Sequence, residues 1–275
     1  MVKRTDYTAE AVDAAKSVLL ELAHLLGEYR EDIVLIGGWV PEFLLPGAQE
    51  SHVGSMDIDL ALNHLTLGEE GYETIGNLLR ERGYVQGPQP FIFYRTFMKN
   101  EREYVVQVDL LAGEYQGSSK GHRTQRIQDI NARKARGCDL AFKMFERVKI
   151  EGELPNGALD SVEIRVASIV PFFVMKAMAL NDRLKEKDAW DIYYCLLNYP
   201  DGLDALIAEF NRLKDNVLVQ EGLNKLASKF ASTEHLGPRF VADFAGVVQD
   251  EEREYLIRDV YERMHYLLQT LGVCE

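Results

Sequence analysis

Asp57-Ile58-Asp59 sets two carboxylates one residue apart within residues 56–62, where Asp57, Asp59 and Ala61 alternate with Ile58, Leu60 and Leu62. Successive side chains of a strand point to opposite faces, so both acids emerge together while Ile58 enters the core. Two like charges so close repel one another. A solvated edge, protonation of one member or a shared divalent cation each relieves the repulsion, and hard Mg²⁺, with its preference for oxygen, suits the last. Asp109 lies in residues 104–111, a strongly apolar, β-branched run that reads as a central strand. An ionised group there is costly without a partner. A metal shared with Asp57 and Asp59 is one such partner; a place just past the strand's end, capping a loop, is the other reading. Gly37-Gly38 closes the apolar run of residues 32–36 ahead of a short helix at 39–45. A glycine pair there lets backbone approach a ligand and points amides at an anion such as phosphate, or it simply makes the turn.

The elements that must hold these residues follow from periodicity. Residues 9–29 repeat apolar side chains at helical spacing (Ala11, Ala14, Ala15, Val18, Leu19, Leu22, Leu25, Leu26). Strands are expected at 32–36, 56–62, 91–98 and 104–111, with a helix at 72–82 between the second and third. A further strand pair is expected at 141–149 and 161–166, joined through Pro155-Asn156-Gly157. After Pro171 the pattern is helical at 172–183, 187–197, 203–213, 218–230 and 251–271. The expected fold class is α+β: a mixed sheet flanked by helices in residues 1–165, then a helical domain in 166–275.

Composition narrows the classes. At 275 residues, 47% hydrophobic and 27% charged, the chain folds around a core and is not disordered. The longest apolar run, residues 166–175, is too short to cross a bilayer and is interrupted by Ser168 and Pro171, so no membrane partner is expected. The first residues carry charge and no apolar signal core, which points to a cytoplasmic protein. Cys138, Cys195 and Cys274 lack any zinc-binding spacing and read as ordinary thiols. The net charge of −13 speaks against coating nucleic acid by field alone. Residues 117–149 are the exception: nine bases (Lys120, Arg123, Arg126, Arg133, Lys134, Arg136, Lys143, Arg147, Lys149) face three acids, a local balance of +6. That stretch is either a solvated helix face with ion pairs to the acidic remainder or a platform for phosphates.

A glycine pair after a strand, a D-x-D strand and a third aspartate on a later strand together resemble the nucleotidyltransferase superfamily that includes DNA polymerase beta. A second block is similar to the K-x-x-A-x-x-x-R and K-D-x-x-D signature of the AbiEii toxin family. Here it runs Lys176, Ala179 and Arg183, then Lys187, Asp188 and Asp191. Ser55-Met56-Asp57-Ile58-Asp59-Leu60 likewise matches that family's S/T-x-D-I-D-L strand. The likeness spans roughly residues 31–200, with 19 positions between Gly38 and Asp57. On an unbroken helix, Lys176, Arg183, Lys187 and Asp191 would share one stripe; apart from the resemblance, Lys176 could hold its head in water and the others form surface ion pairs.

The resemblance implies a metal-dependent nucleotidyltransferase that moves a nucleoside monophosphate from an NTP to a hydroxyl and releases pyrophosphate. It assigns Mg²⁺ or Mn²⁺ to Asp57, Asp59 and Asp109, which are also the catalytic residues. It assigns the nucleotide to Gly37, Gly38, Ser55, Lys176, Arg183, Lys187, Asp188 and Asp191. It further implies a toxin of a type IV toxin–antitoxin system, with a cognate antitoxin and with tRNA or another RNA as acceptor, the +6 stretch serving as contact surface. Two other functions compete: nucleotidyl transfer to a small molecule such as an aminoglycoside, and a non-catalytic member of the fold that only binds nucleotide.

Overall fold

The computed structural model describes residues 3–67, 73–114 and 124–274. The chain divides into two compact units. A sheet unit comprises Thr8–Val40 and Gly54–Ser168, and a helical unit comprises Pro41–Val53, the residues from Ile169 onward and the N-terminal residues through Tyr7.

In the sheet unit, α1 (Ala9–Leu25) starts at Thr8, whose hydroxyl accepts the Ala11 N–H at 3.3 Å. The helix ends before the expected position 29 because the chain tightens at Gly27 into a 3₁₀ turn, Gly27–Asp32. Ala14, Ala15, Val18, Leu19 and Leu22 are buried as their spacing requires. Glu21, also buried, receives Arg95 Nε at 2.8 Å and the Tyr84 hydroxyl at 3.0 Å, which fastens the helix to the sheet beneath it.

Nine strands form one mixed sheet among the described residues: β1 (Ile33–Ile36), β2 (Asp57–Leu62), β3 (Tyr84–Gln86), β4 (Ile92–Lys99), β5 (Arg102–Ala112), β6 (Thr124–Ile127), β7 (Ile130–Lys134), β8 (Phe145–Glu153) and β9 (Leu159–Ala167). The main order is β3-β4-β5-β2-β1-β9-β8. β2 runs antiparallel to β1 and parallel to β5, β7 continues beside the end of β5, and β6 pairs with β7. α2 (Val40–Leu44) belongs from Pro41 on to the helical unit, and two short helices accompany the strands, α3 (Ile75–Glu81) and α4 (Cys138–Ala141). The expected first residue of α3, Tyr72, lies outside the described residues.

The stretch 117–149 is not one helix face. Where it is described it forms the β6–β7 hairpin, α4 and the start of β8, because Ile127, Ile130 and Ala132 alternate inward and Gln128 turns the chain with a φ of 51°. Lys120 and Arg123 lie outside the described residues.

The helical unit holds α5 (Ile169–Arg183), α6 (Glu186–Asn198), α7 (Leu203–Asn211), α8 (Val217–Lys229), α9 (Leu236–Ala245) and α10 (Asp250–Thr270). Pro171 falls in the first turn of α5, where its missing N–H costs nothing. Phe172, Phe173, Phe210, Phe230 and Phe244 are buried in this unit, the Phe173 and Phe210 rings meeting edge to face at 5.5 Å. The unit extends further back in sequence than the division expected at 165/166. The Tyr194 hydroxyl donates to the Glu50 carbonyl at 2.7 Å, and Tyr7 packs edge-on against Phe244 at 5.8 Å, tying both earlier segments to these helices.

Candidate active site

The sheet register assembles the acidic residues. Asp57 pairs across to Gln107, Ile58 to Val108, and Asp59 to Asp109. Partners in register share a face, so Asp57, Asp59, Gln107 and Asp109 stand on one side while the fully buried Ile58 and Val108 stand on the other. Asp109 is therefore within its strand, not past the end, and beside Asp59.

Each acid is held from nearby. Ser55, buried, donates its hydroxyl to Asp57 Oδ1 at 2.5 Å, and the Gln107 amide donates to Asp109 Oδ1 at 2.9 Å. Trp39, buried just after the glycine pair, donates its indole N–H to the Asp57 carbonyl at 2.9 Å and so pins the turn to the start of β2. Gly37 has a φ of 75°, and a Cβ there would come within 2.8 Å of Asp59 Cγ and closer still to Oδ2. Only glycine allows the carboxylate to lie against the backbone at this point.

The donor chemistry fits a hard divalent cation: three carboxylates on one face of two adjacent strands. At an effective dielectric near 20, charges ~5 Å apart repel by about 3 kcal/mol, which a cation would relieve. As oriented, Asp57 engages Ser55 and Asp109 engages Gln107. Among the described residues no three His, Cys, Asp or Glu side chains stand close enough together to hold an ion. The fit thus lies in the donor types and the strand register; convergence of the side chains is a further step. Burial, with the charges of Asp139 and Asp59, pushes the Cys138 thiol up, which makes it an inert neighbour.

The second motif forms a cluster within the helical unit. The single stripe that an unbroken helix would give does not form: as the separate helices expected at 172–183 and 187–197 require, α5 ends at Arg183, and Leu184 adopts a φ of 49° before α6 begins. Its residues meet across that corner instead of along a stripe. Lys176 Nζ lies 2.8 Å from Asp188 Oδ1 and 2.6 Å from Asp191 Oδ2. Arg183 grips Asp188 with Nε and Nη2, both at 2.8 Å, and Lys187 lies 2.8 Å from Asp191. His52 Nε2 lies 3.0 Å from Asp191 Oδ1.

Lys176, Asp188 and Asp191 are buried, so the Lys176 ammonium does not reach water. Burial opposes its charge, but Asp188 and Asp191 outweigh burial and hold its pKa up. Burial likewise opposes both carboxylates, yet the surrounding cations drive Asp188 down and Asp191 far down. Burial lowers His52 despite its bond to Asp191, so it is neutral at pH 7. Three cations over two carboxylates leave the cluster with one surplus positive charge, and its most exposed member is Arg183.

Three contributors escape the motif reading. Gln107 is two residues before Asp109 and shares its face, which alternation alone could have shown. Trp39 and His52 carry no such signal.

A mixed sheet flanked by helices, with a glycine turn laid against a D-x-D strand and a third aspartate in register beside it, is the nucleotidyltransferase fold. A family model described as "Nucleotidyl transferase AbiEii toxin, Type IV TA system" matches residues 22–263, and the chain belongs to that family. It is thus a nucleotidyltransferase-type toxin of a type IV toxin–antitoxin system, which implies a cognate antitoxin. Comparison with curated proteins and with solved structures returns no match. Among the described residues no helix is long and apolar enough to cross a membrane.

Proposed function

We propose that the chain transfers a nucleoside monophosphate from an NTP to a hydroxyl of RNA, tRNA among the candidates, with release of pyrophosphate. The observation that carries this reading is the register of Asp59 on Asp109, with Asp57 on the same face and Gly37 against Asp59. Gly37 and Gly38 admit the triphosphate close to the backbone, their amides facing the β- and γ-phosphates. Asp57, Asp59 and Asp109 would hold Mg²⁺ or Mn²⁺, which supplies Lewis acidity at the α-phosphate and lowers the pKa of the attacking hydroxyl. Ser55 orients Asp57 and Gln107 orients Asp109 through the bonds described above. The acceptor oxygen bonds to the α-phosphorus, the bond to the β-phosphate oxygen breaks, and the acceptor's proton passes to solvent. No covalent link to the protein forms. In the helical unit, taken by itself, Arg183 is the most exposed cation of its cluster, and Lys176 and Lys187, already engaged by Asp188 and Asp191, keep that cluster cationic.

The test is transfer of label from α-³²P NTPs into total RNA and into a panel of small acceptors, with Asp57→Ala as control. Labelled RNA that disappears in the variant supports the reading. Label appearing only on small acceptors, or magnesium-dependent NTP binding without any transfer, overturns it.

A further inference from the structure

One face of the sheet unit is covered by α1, and the carboxylates stand on the other. That second face continues past them. Asp57, Gln107 and Tyr94 form a row across β2, β5 and β4, and Asp59, Asp109 and Ile92 form the next. With strands ~4.8 Å apart, Tyr94 stands about 10 Å from Asp57, within reach of one nucleotide. Its ring is seated: a Cβ on Gly87 would come within 2.7 Å of Tyr94 Cε2, so the aromatic lies directly on backbone. Beyond it Thr96, Met98 and Val105 are exposed, Val105 by 58%.

The same face also carries two arginines of the basic stretch. Arg133 pairs in register with Leu111, two residues past Asp109, and its guanidinium lies over the Phe91 ring at 5.8 Å. Arg126, opposite Asn131 on the hairpin, shares that face. Among the described residues neither arginine has a carboxylate partner. By contrast Arg136 pairs with Glu114, Arg147 with Glu31 and Glu163, and Lys149 with Glu151. In a chain of net charge −13, two arginines with no carboxylate partner among the described residues, Arg133 against Phe91 and Arg126 held by the Gln128 carbonyl, on the face that carries Tyr94 and the carboxylates form a local match for a polyanion with exposed bases.

We propose that this face holds a single-stranded stretch of the RNA acceptor adjoining the reacting hydroxyl, Tyr94 and Phe91 stacking on bases and Arg133 and Arg126 contacting phosphates. The proposal rests on the transfer reading above and names its acceptor surface. A half-exposed ring stacks on an unpaired base and not on one inside a duplex, which selects single strands.

The experiment is fluorescence anisotropy of the full chain with a fluorescein-labelled 12-nucleotide oligoadenylate, alone and annealed to its complement. The single strand binds, and the duplex binds at least about tenfold more weakly. Tyr94→Ala weakens single-strand binding about tenfold, whereas Tyr94→Phe keeps it. Arg133→Ala weakens binding and flattens the slope of log Kd against log salt by about 0.7. Lys149→Ala, which removes the same charge from the same stretch, changes neither. Absence of binding by the wild-type chain, equal affinity for duplex, or a Lys149→Ala loss equal to that of Arg133→Ala overturns the proposal. If Tyr94→Ala does not fold, the comparison of Arg133→Ala and Arg126→Ala with Lys149→Ala decides it. Transfer to RNA that survives Tyr94→Ala with unchanged KM sinks this proposal alone. Tyr94-dependent binding without any transfer sinks the transfer reading and leaves the binding face standing.

Discussion

Gly37→Ala is the most informative single change at the carboxylates. The φ of 75° costs an L side chain ~1–2 kcal/mol. The added methyl would also meet Asp59 Cγ at 2.8 Å and Cβ at 3.0 Å. Asp59 is held by strand pairing opposite Ile36, the residue just before Gly37, so the backbone cannot easily retreat and the carboxylate must turn away. Strain and clash together predict a loss of about 1–3 kcal/mol in urea unfolding, and a displacement near 1 Å at a reacting group costs on the order of 100-fold in kcat. Gly27→Ala is the control, because nothing lies within 4 Å of its Cβ and it falls within the ordinary ±0.5 kcal/mol or so of a surface change. Adding Asp59→Ala to Gly37→Ala removes the clashing oxygens, so the double variant regains stability while transfer stays lost. Gly37→Ala protein that is destabilised yet transfers label at the wild-type rate would refute the reasoning, since the glycine would then shape only a turn.

Further outcomes follow from the same geometry. Asp109→Asn removes the repulsion against Asp59, so it raises the free energy of unfolding in urea by about 1–2 kcal/mol after screening while lowering transfer at least about 100-fold; a lower unfolding free energy contradicts the like-charge pairing. Lys176→Met removes the buried cation shared by Asp188 and Asp191 and leaves each carboxylate to Arg183 or Lys187 alone, which costs about 1.5–3 kcal/mol, read by denaturant unfolding; a loss below about 1 kcal/mol would mean that the cluster is not closed as described. Because burial holds His52 below its usual value of about 6.5, the unfolded chain binds the extra proton over the interval beneath that pH. Stability should therefore fall on acidification from pH 7 to 5, with a slope approaching about 1.4 kcal/mol per pH unit, and His52→Gln should flatten the slope. Equal slopes in the two proteins would remove His52 from the account.

The candidate site residues were more legible than the frame that presents them. The strand Ile33–Ile36 announces itself as a continuous apolar run, Asp57–Leu62 through alternation, which also gives the face shared by Asp57 and Asp59, and Arg102–Ala112 through the apolar, β-branched content of residues 104–111. Where alternation mixes Arg126 and Arg133 with isolated Ile127, Ile130 and Ala132, charge masks the period, and the hairpin reads as a solvated helix. The two helices on either side of Leu184 are legible from their periodicity, but a left-handed leucine leaves no trace in sequence, so the angle of the corner, and with it the meeting of Lys176 with Asp188 and Asp191, is not. His52 owes its place to a bond with Asp191, 139 positions away, that no local pattern encodes. The pairing of Asp59 with Asp109 is likewise a product of strand order. The resemblance pointed to Asp109 as a third acid, but only the parallel β2–β5 ladder showed which residue it stands beside.

Manganese uptake followed by electron paramagnetic resonance, with a non-hydrolysable NTP analogue present, tests the carboxylate cluster most directly. The wild-type chain should bind Mn²⁺ with defined stoichiometry, and Asp109→Asn should weaken that binding at least about tenfold while the circular dichroism spectrum stays unchanged. Wild-type protein that takes up no Mn²⁺, or a variant that takes up as much, would contradict the account.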